Sequence, residues 1–161
     1  MHKAICIILA YVLVGITGQV STAVAQDSPT GFFVTLESQR RCENKRWNLD
    51  NSKSFCLPRE PLIADSEFES VGDVVLDTAQ NVRYFIIRLS VDGYMALKLM
   101  SDKLPDSELA LVVQGNVVGV FSTKMKVVSR NFPVYSDAGL VDLKWIHSRI
   151  REVLANRRKK Q

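Results

Sequence analysis

Apolar and polar residues alternate along this chain in two rhythms, one with the two-residue period of strands and one with the 3.6-residue period of helices. Residues 32–36 (FFVTL) form an apolar run of strand length after a start broken by Pro29 and Gly31. The polar stretch between Cys42 and Cys56, ENKRWNLDNSKSF, shows neither rhythm. Pro58 and Pro61 then keep residues 57–63 extended, because neither fits a helix interior. Ser66 to Val71 reads as a short helical turn with Asp65 as its N-cap. Residues 73–78 and 83–89, rich in valine, isoleucine and aromatics, flank Ala79-Gln80-Asn81 as a hairpin. Ser90 or Asp92 caps a helix to about Lys103, with Met95, Leu97, Leu99 and Met100 apolar, and Pro105 ends it. Two more strands, 109–113 and 117–121, flank Gln114-Gly115-Asn116, where Gly115 supplies the positive φ of a tight turn. Residues 125–129 predict a further strand before a bend at Asn131-Phe132-Pro133. The last element is a helix from Ser136 or Asp137 to about Ala155, whose stripe is Leu140, Leu143, Ile146, Ile150, Val153 and Leu154. Strand pairs separated by helices predict an α+β fold: one antiparallel sheet with two main helices packed on one face.

The first 25 residues have a separate character. A basic start (His2, Lys3), an apolar run from Ala4 to Ile16 and a small-residue end, Ala23-Val24-Ala25, make a secretory signal peptide cleaved before Gln26. The apolar run is shorter than the roughly 20 residues that cross a bilayer. Residues 26–161 are then expected as a single soluble domain outside the cytoplasm, in a bacterial periplasm, with no later transmembrane segment. Only Lys3 of the basic residues lies in the signal, leaving 20 Lys and Arg against 17 Asp and Glu. That near balance argues against a nucleic-acid partner, which selects a basic face with interleaved aromatics. The clustered charges at 157–161, from Arg157 to Lys160, are expected as a solvated, frayed tail.

Cys6 leaves with the signal, so Cys42 and Cys56 are the one pair available in an oxidising compartment, and a structural disulfide closing the 42–56 loop is expected. A redox or metal site would need Cys-x-x-Cys spacing or histidine partners, and His147 is the one histidine after residue 25.

From Phe55 to about Ile150 the pattern resembles the head part of the first periplasmic domain of SecD, an accessory subunit of the bacterial protein translocase. The residues that carry the resemblance are Leu57-Pro58-Arg59-Glu60-Pro61, the acidic stretch Ser66 to Val71, Tyr84 to Leu89, Asp92-Gly93-Tyr94, Leu109 to Val113 and Gln114 to Val118. The resemblance implies that fold and a habit of touching other polypeptides. Three departures matter. Arg130-Asn131-Phe132-Pro133 stands where the family has a glycine-rich stretch, the cysteine-closed insert before Phe55 has no counterpart, and the membrane residues needed for proton-driven translocation are absent.

No constellation of nucleophile, base and orienting group is legible, nor a phosphate-cradling glycine loop or metal spacing, so no catalytic residue, cofactor or metal is expected. His147 reads as structural, and the acidic cluster Asp65, Glu67, Glu69 and Asp73 as an exposed turn. The leading expectation is a non-catalytic exported module that contacts another protein of the periplasm or envelope, through a sheet edge or through Arg40, Arg41, Lys45, Arg46 and Trp47. Trp47 either anchors its own loop or forms the centre of such a contact. Alternatives are an immunity or inhibitor protein that neutralises a toxin, a small hydrolase using His147 with an acidic residue, and a ligand carrier.

Overall fold

A computed structural model describes residues 28–36, 42–124, 127–135 and 142–160. The expected signal peptide, Arg40, Arg41, Met125, the caps Ser136 and Asp137, Leu140 and Gln161 lie outside the described residues. In chain order the elements are β1 (Gly31–Val34), β2 (Lys45–Trp47), β3 (Ser54–Cys56), β4 (Ile63–Ala64), a 3-10 turn (Asp65–Glu67), β5 (Phe68–Val71), β6 (Val75–Asp77), β7 (Val82–Leu89), α1 (Val91–Lys103), β8 (Glu108–Val113), β9 (Asn116–Ser122), β10 (Asn131–Tyr135) and α2 (Leu143–Lys160).

The α+β class holds, but the strands divide between two antiparallel sheets and a separate hairpin. One sheet has the order β4-β1-β8-β9, the second the order β10-β7-β5 with β6 also on β7, and β2 pairs with β3. β5 and β6 share one side of the long β7: β5 covers Ile87–Leu89 and β6 covers Val82–Tyr84. Between them Gly72 donates its N–H to Ile86 O at 2.9 Å. The two sheets meet through an aromatic cluster in which Phe32 of β1 lies 5.6 Å from Phe68, 6.4 Å from Phe121 and 4.7 Å from Phe132. Edge-on and tilted ring pairs of this kind add to the burial of their area.

The main core fills the space between the sheets and the helices, from Phe85, Ile87 and Leu89 of β7, Leu109 and Leu111 of β8, Leu97 and Met100 of α1, and Ile146 and Ile150 of α2. A second, smaller core lies on the opposite face of the first sheet, where Phe33, Ala110, Val112 and Val117 are covered by Leu57 and the half-buried Phe55. β8 is therefore buried on both faces, which explains its unbroken apolar run from Leu109 to Val113.

Four expectations are corrected. Residues 68–71 are a strand and not a helical turn; Asp65 sits within the 3-10 turn, whose N-cap is Ala64. Phe68 is fully buried and extends the pairing of β7, and that burial outweighs the acidic local signal. The Asn131-Phe132-Pro133 bend is instead β10, and residues 127–130 are irregular. Leu89 N–H donates to Arg130 O at 2.8 Å, so alternation puts Phe132 and Val134 in the hydrogen-bonded positions and turns the Pro133 nitrogen to the open edge, where no donor is needed. Residues 157–160 are the last turn of α2, not a frayed tail, because the Arg157 guanidinium donates to Asp65 O at 2.8 Å, Ser66 O at 2.7 Å and Phe68 O at 3.2 Å.

The fourth correction concerns α1. Ser90 is its N-cap, accepting from Gly93 N–H at 3.0 Å and donating to Glu67. Gly93, Leu97 and Met100 face inward, while Met95 and Leu99 lie about half a turn away and are 45% and 51% exposed. With Val91 they form a second apolar stripe, at i, i+4 and i+8. The expected turn at Gly115 is present, with positive φ at Gln114 and Gly115.

The helix phase sets a direct comparison. Leu97→Ala is expected to cost about 2–5 kcal/mol in denaturant unfolding through the cavity it leaves. Leu99→Ala is expected to stay within about 0.5 kcal/mol of the parent. Equal losses would mean that the phase is misassigned.

Candidate functional site

The stretch between the cysteines, expected to be irregular, folds as a hairpin in which Lys45 faces Cys56, Arg46 faces Phe55 and Trp47 faces Ser54. Its order comes from the turn. Asn48 N–H donates to Lys53 O at 3.0 Å, Lys53 N–H returns to Asn48 Oδ1 at 2.9 Å, and Asn51 takes a positive φ. The Ser52 hydroxyl and Ser52 N–H both bond the Asp50 carboxyl and hold it below the usual carboxylate range. These Asn and Asp bonds to backbone carry no apolar period, which is why the hairpin is invisible to a reading of hydrophobic rhythm.

The base of the hairpin is closed by the Cys42–Cys56 disulfide, Cα atoms 5.5 Å apart, and by Asn44 Nδ2 donating to Pro58 O at 2.7 Å. It lies across the second face of the first sheet and touches it at both sides. Leu36 N–H donates to Cys56 O at 2.9 Å beyond the end of β1, and Asn48 forms an isolated parallel bridge with Val117 of β9.

Strand alternation then decides which side chains are offered outward. Phe55 and Arg46 face the sheet: Phe55 packs on the second core, and Arg46 donates to Asn44 Oδ1 at 3.1 Å with its guanidinium beside Gly115. Lys45 and Trp47 face away. Trp47 is 44% exposed, and Lys45 Nζ lies 5.0 Å from the centre of its ring. Of the five residues expected to form a contact surface, the structure thus brings together Lys45 and Trp47 and sets Arg46 on the other face; Arg40 and Arg41 lie outside the described residues. The exposure of Trp47 goes against its role as an anchor for the loop.

The groups considered for chemistry are engaged in holding elements together. His147 Nε2 is 2.9 Å from Gly72 O, and its ring meets Phe85 edge-on at 5.4 Å, joining α2 to the second sheet. Glu67 accepts from Ser90, Glu69 pairs with Arg88 at 3.1 Å and with Arg130, and Asp73 lies 3.7 Å from Arg151. A groove of about 330 Å³ beside β3 is lined by polar groups, among them Thr35, Lys53, Ser54, Asp106 and Glu108. Among the described residues no group of three or more His, Cys, Asp or Glu could hold a metal ion, and no helix is long and apolar enough to cross a membrane.

Two apolar surfaces were not anticipated. One is the Val91–Met95–Leu99 stripe of α1. The other is the outer face of the second sheet, where the tilted rings of Tyr84 and Tyr135 lie 5.5 Å apart and Val75 is 49% exposed. The sequence signal for the second is that β7 is apolar at both parities, Tyr84 and Ile86 as well as Phe85 and Ile87.

No protein-family model matches the chain, and no curated protein sequence matches it. Its fold does match solved structures. SecDF, solved as a membrane component that enhances protein export, superposes with a TM-score of 0.56 at 13% identity, over 80% of this chain and 62% of that one. SecDF in a super-membrane-facing form gives the same TM-score and identity, over 80% of this chain and 19% of that chain. The resemblance carried by residues 55–150 therefore holds at the level of the fold.

Removing the staple tests the place of the hairpin. Cys42→Ser is expected to lower stability by about 3 kcal/mol, the size of the loop-closure term for a loop this short. It should also raise binding of an apolar dye as Phe33 and Val112 are uncovered. Unchanged stability would show that the hairpin holds its position without the bridge.

Proposed function

We propose that this chain is an exported, non-catalytic module that binds other polypeptides in the periplasm or envelope. The observation that carries the reading is Trp47, held outward beside Lys45 on a hairpin whose base is locked by a disulfide. A large aromatic in a fixed orientation gives up little conformational freedom on contact, and Trp is over-represented among residues that dominate binding energy. Lys45 has no carboxylate partner among the described residues, so an acidic segment of a partner complements it.

Two further features support the proposal. The fold is shared with SecDF, a component that enhances protein export. The signal-like sequence pattern of residues 1–25 and the paired cysteines both suit an oxidising compartment outside the cytoplasm. The absence of catalysis is part of the proposal, supported by the structural engagement of His147 and Glu67.

The test is affinity for a permanently unfolded, acidic polypeptide, for which reduced, carboxymethylated α-lactalbumin serves. Trp47→Ala is expected to weaken binding by about 2 kcal/mol, roughly 30-fold, with the melting temperature unchanged. Equal affinity in parent and variant would remove Trp47 from the contact. No binding by the parent would refute the reading as a whole.

A further inference from the structure

We infer that the outer edge of β9, at Val120 to Ser122, is a site where an extended segment of an unfolded polypeptide adds as a further strand. This rests on the polypeptide-binding reading and names the backbone groups that would do the binding.

The phase of β9 follows from two hydrogen bonds at the foot of the sheet. Thr123 N–H donates to Ser107 O at 3.0 Å, and Thr35 N–H donates to Glu108 O at 2.9 Å. Residues of β8 thus alternate between their neighbours, Glu108 turned to β1 and Leu109 to β9. In the observed register, Phe121 and Gly119 of β9 bond inward, opposite Leu109 and Leu111. Val120 and Ser122 aim their N–H and C=O groups away from β8, and these have no hydrogen-bond partner among the described residues. Val120 and Phe121 are only half-buried, and Ser122 is exposed.

The other edges of the two main sheets are closed to strand addition. β10 presents the Pro133 nitrogen, β4 is two residues long, and the β5–β6 side of β7 is broken at Gly72 to Val74. Among the described residues β9 alone is left bare, and next to the bare stretch a pairing has already begun. The hairpin sets Asn48 beside Val117 in the parallel sense and then turns away at Leu49 and Asp50.

The occupant fits this geometry by its chemistry. Pairing along an edge is made through main-chain groups, so it accepts many sequences, and it requires a segment whose own N–H and C=O groups are free. Folded proteins have theirs paired; an unfolded chain does not. The edge continues past the hairpin that carries Trp47, so one extended segment can meet both.

Hydrogen exchange and one proline substitution decide the matter. With reduced, carboxymethylated α-lactalbumin bound to the purified chain, the amides of Val120 and Ser122 are expected to exchange at least about tenfold more slowly than in the free protein, as newly bonded groups do. Val120→Pro removes an outward N–H and leaves the ladder to β8 intact, so it should weaken binding about tenfold while the fold persists. If the polypeptide binds but both amides exchange as before, the edge is not the site and the broader reading stands. If the polypeptide does not bind at all, both fall. Should Val120→Pro fail to fold, exchange in the parent protein still gives the answer.

Discussion

β8 has to be buried on both faces, and most of the architecture follows from that. A strand reading Leu-Ala-Leu-Val-Val leaves no face for water, so each side of the sheet that contains it needs an apolar cover. On one side the second sheet and the helices provide it, in a core large enough to hold the elements together. On the other side, among the described residues, the cover is Phe55, Leu57 and a polar hairpin. Two short strands are not stable alone in water. The Cys42–Cys56 bridge and the turn bonds at Asn48 and Asp50 supply the order that packing cannot.

The same constraint shapes the surface. Because Phe55 and Arg46 are drawn to the sheet, period-two alternation turns Trp47 and Lys45 to solvent. A structural demand on one face of the hairpin thus leaves an aromatic and a cation exposed on the other. The hairpin reaches the β9 edge at Val117 and stops, so the outward main-chain groups of Val120 and Ser122 lie beyond it. Among the described residues, the outward Trp47–Lys45 pair and the open β9 edge both follow from covering β8 with a small piece.

Much of this was legible in the sequence where local chemistry and tertiary demand agree. The β6–β7 hairpin, the Ser90 cap, the positive φ at Gly115 and the buried stripe of α2 each follow from signals within a few residues. The misses are places where long-range packing overrode the local signal. Glu67 and Glu69 suggested a helical turn, but Phe68 is needed in the core. Pro133 suggested a bend, but an edge strand tolerates it where its nitrogen faces out. Met95 and Leu99 matched helical apolar spacing as well as Leu97 and Met100 did, and only the packing of α1 shows which pair is inside. At the candidate site, residue types flagged Trp47 and Lys45, but the face assigned to Arg46 needed the strand register.

Native-state hydrogen exchange along β8 tests the central claim most directly. If this strand is held between two covers, the amides of Leu109 to Val113 exchange only through global unfolding and are the slowest in the protein. Faster exchange there than in β7 or α2 would mean that the second face of the sheet opens on its own, and that the stapled hairpin is an appendage and not part of the core.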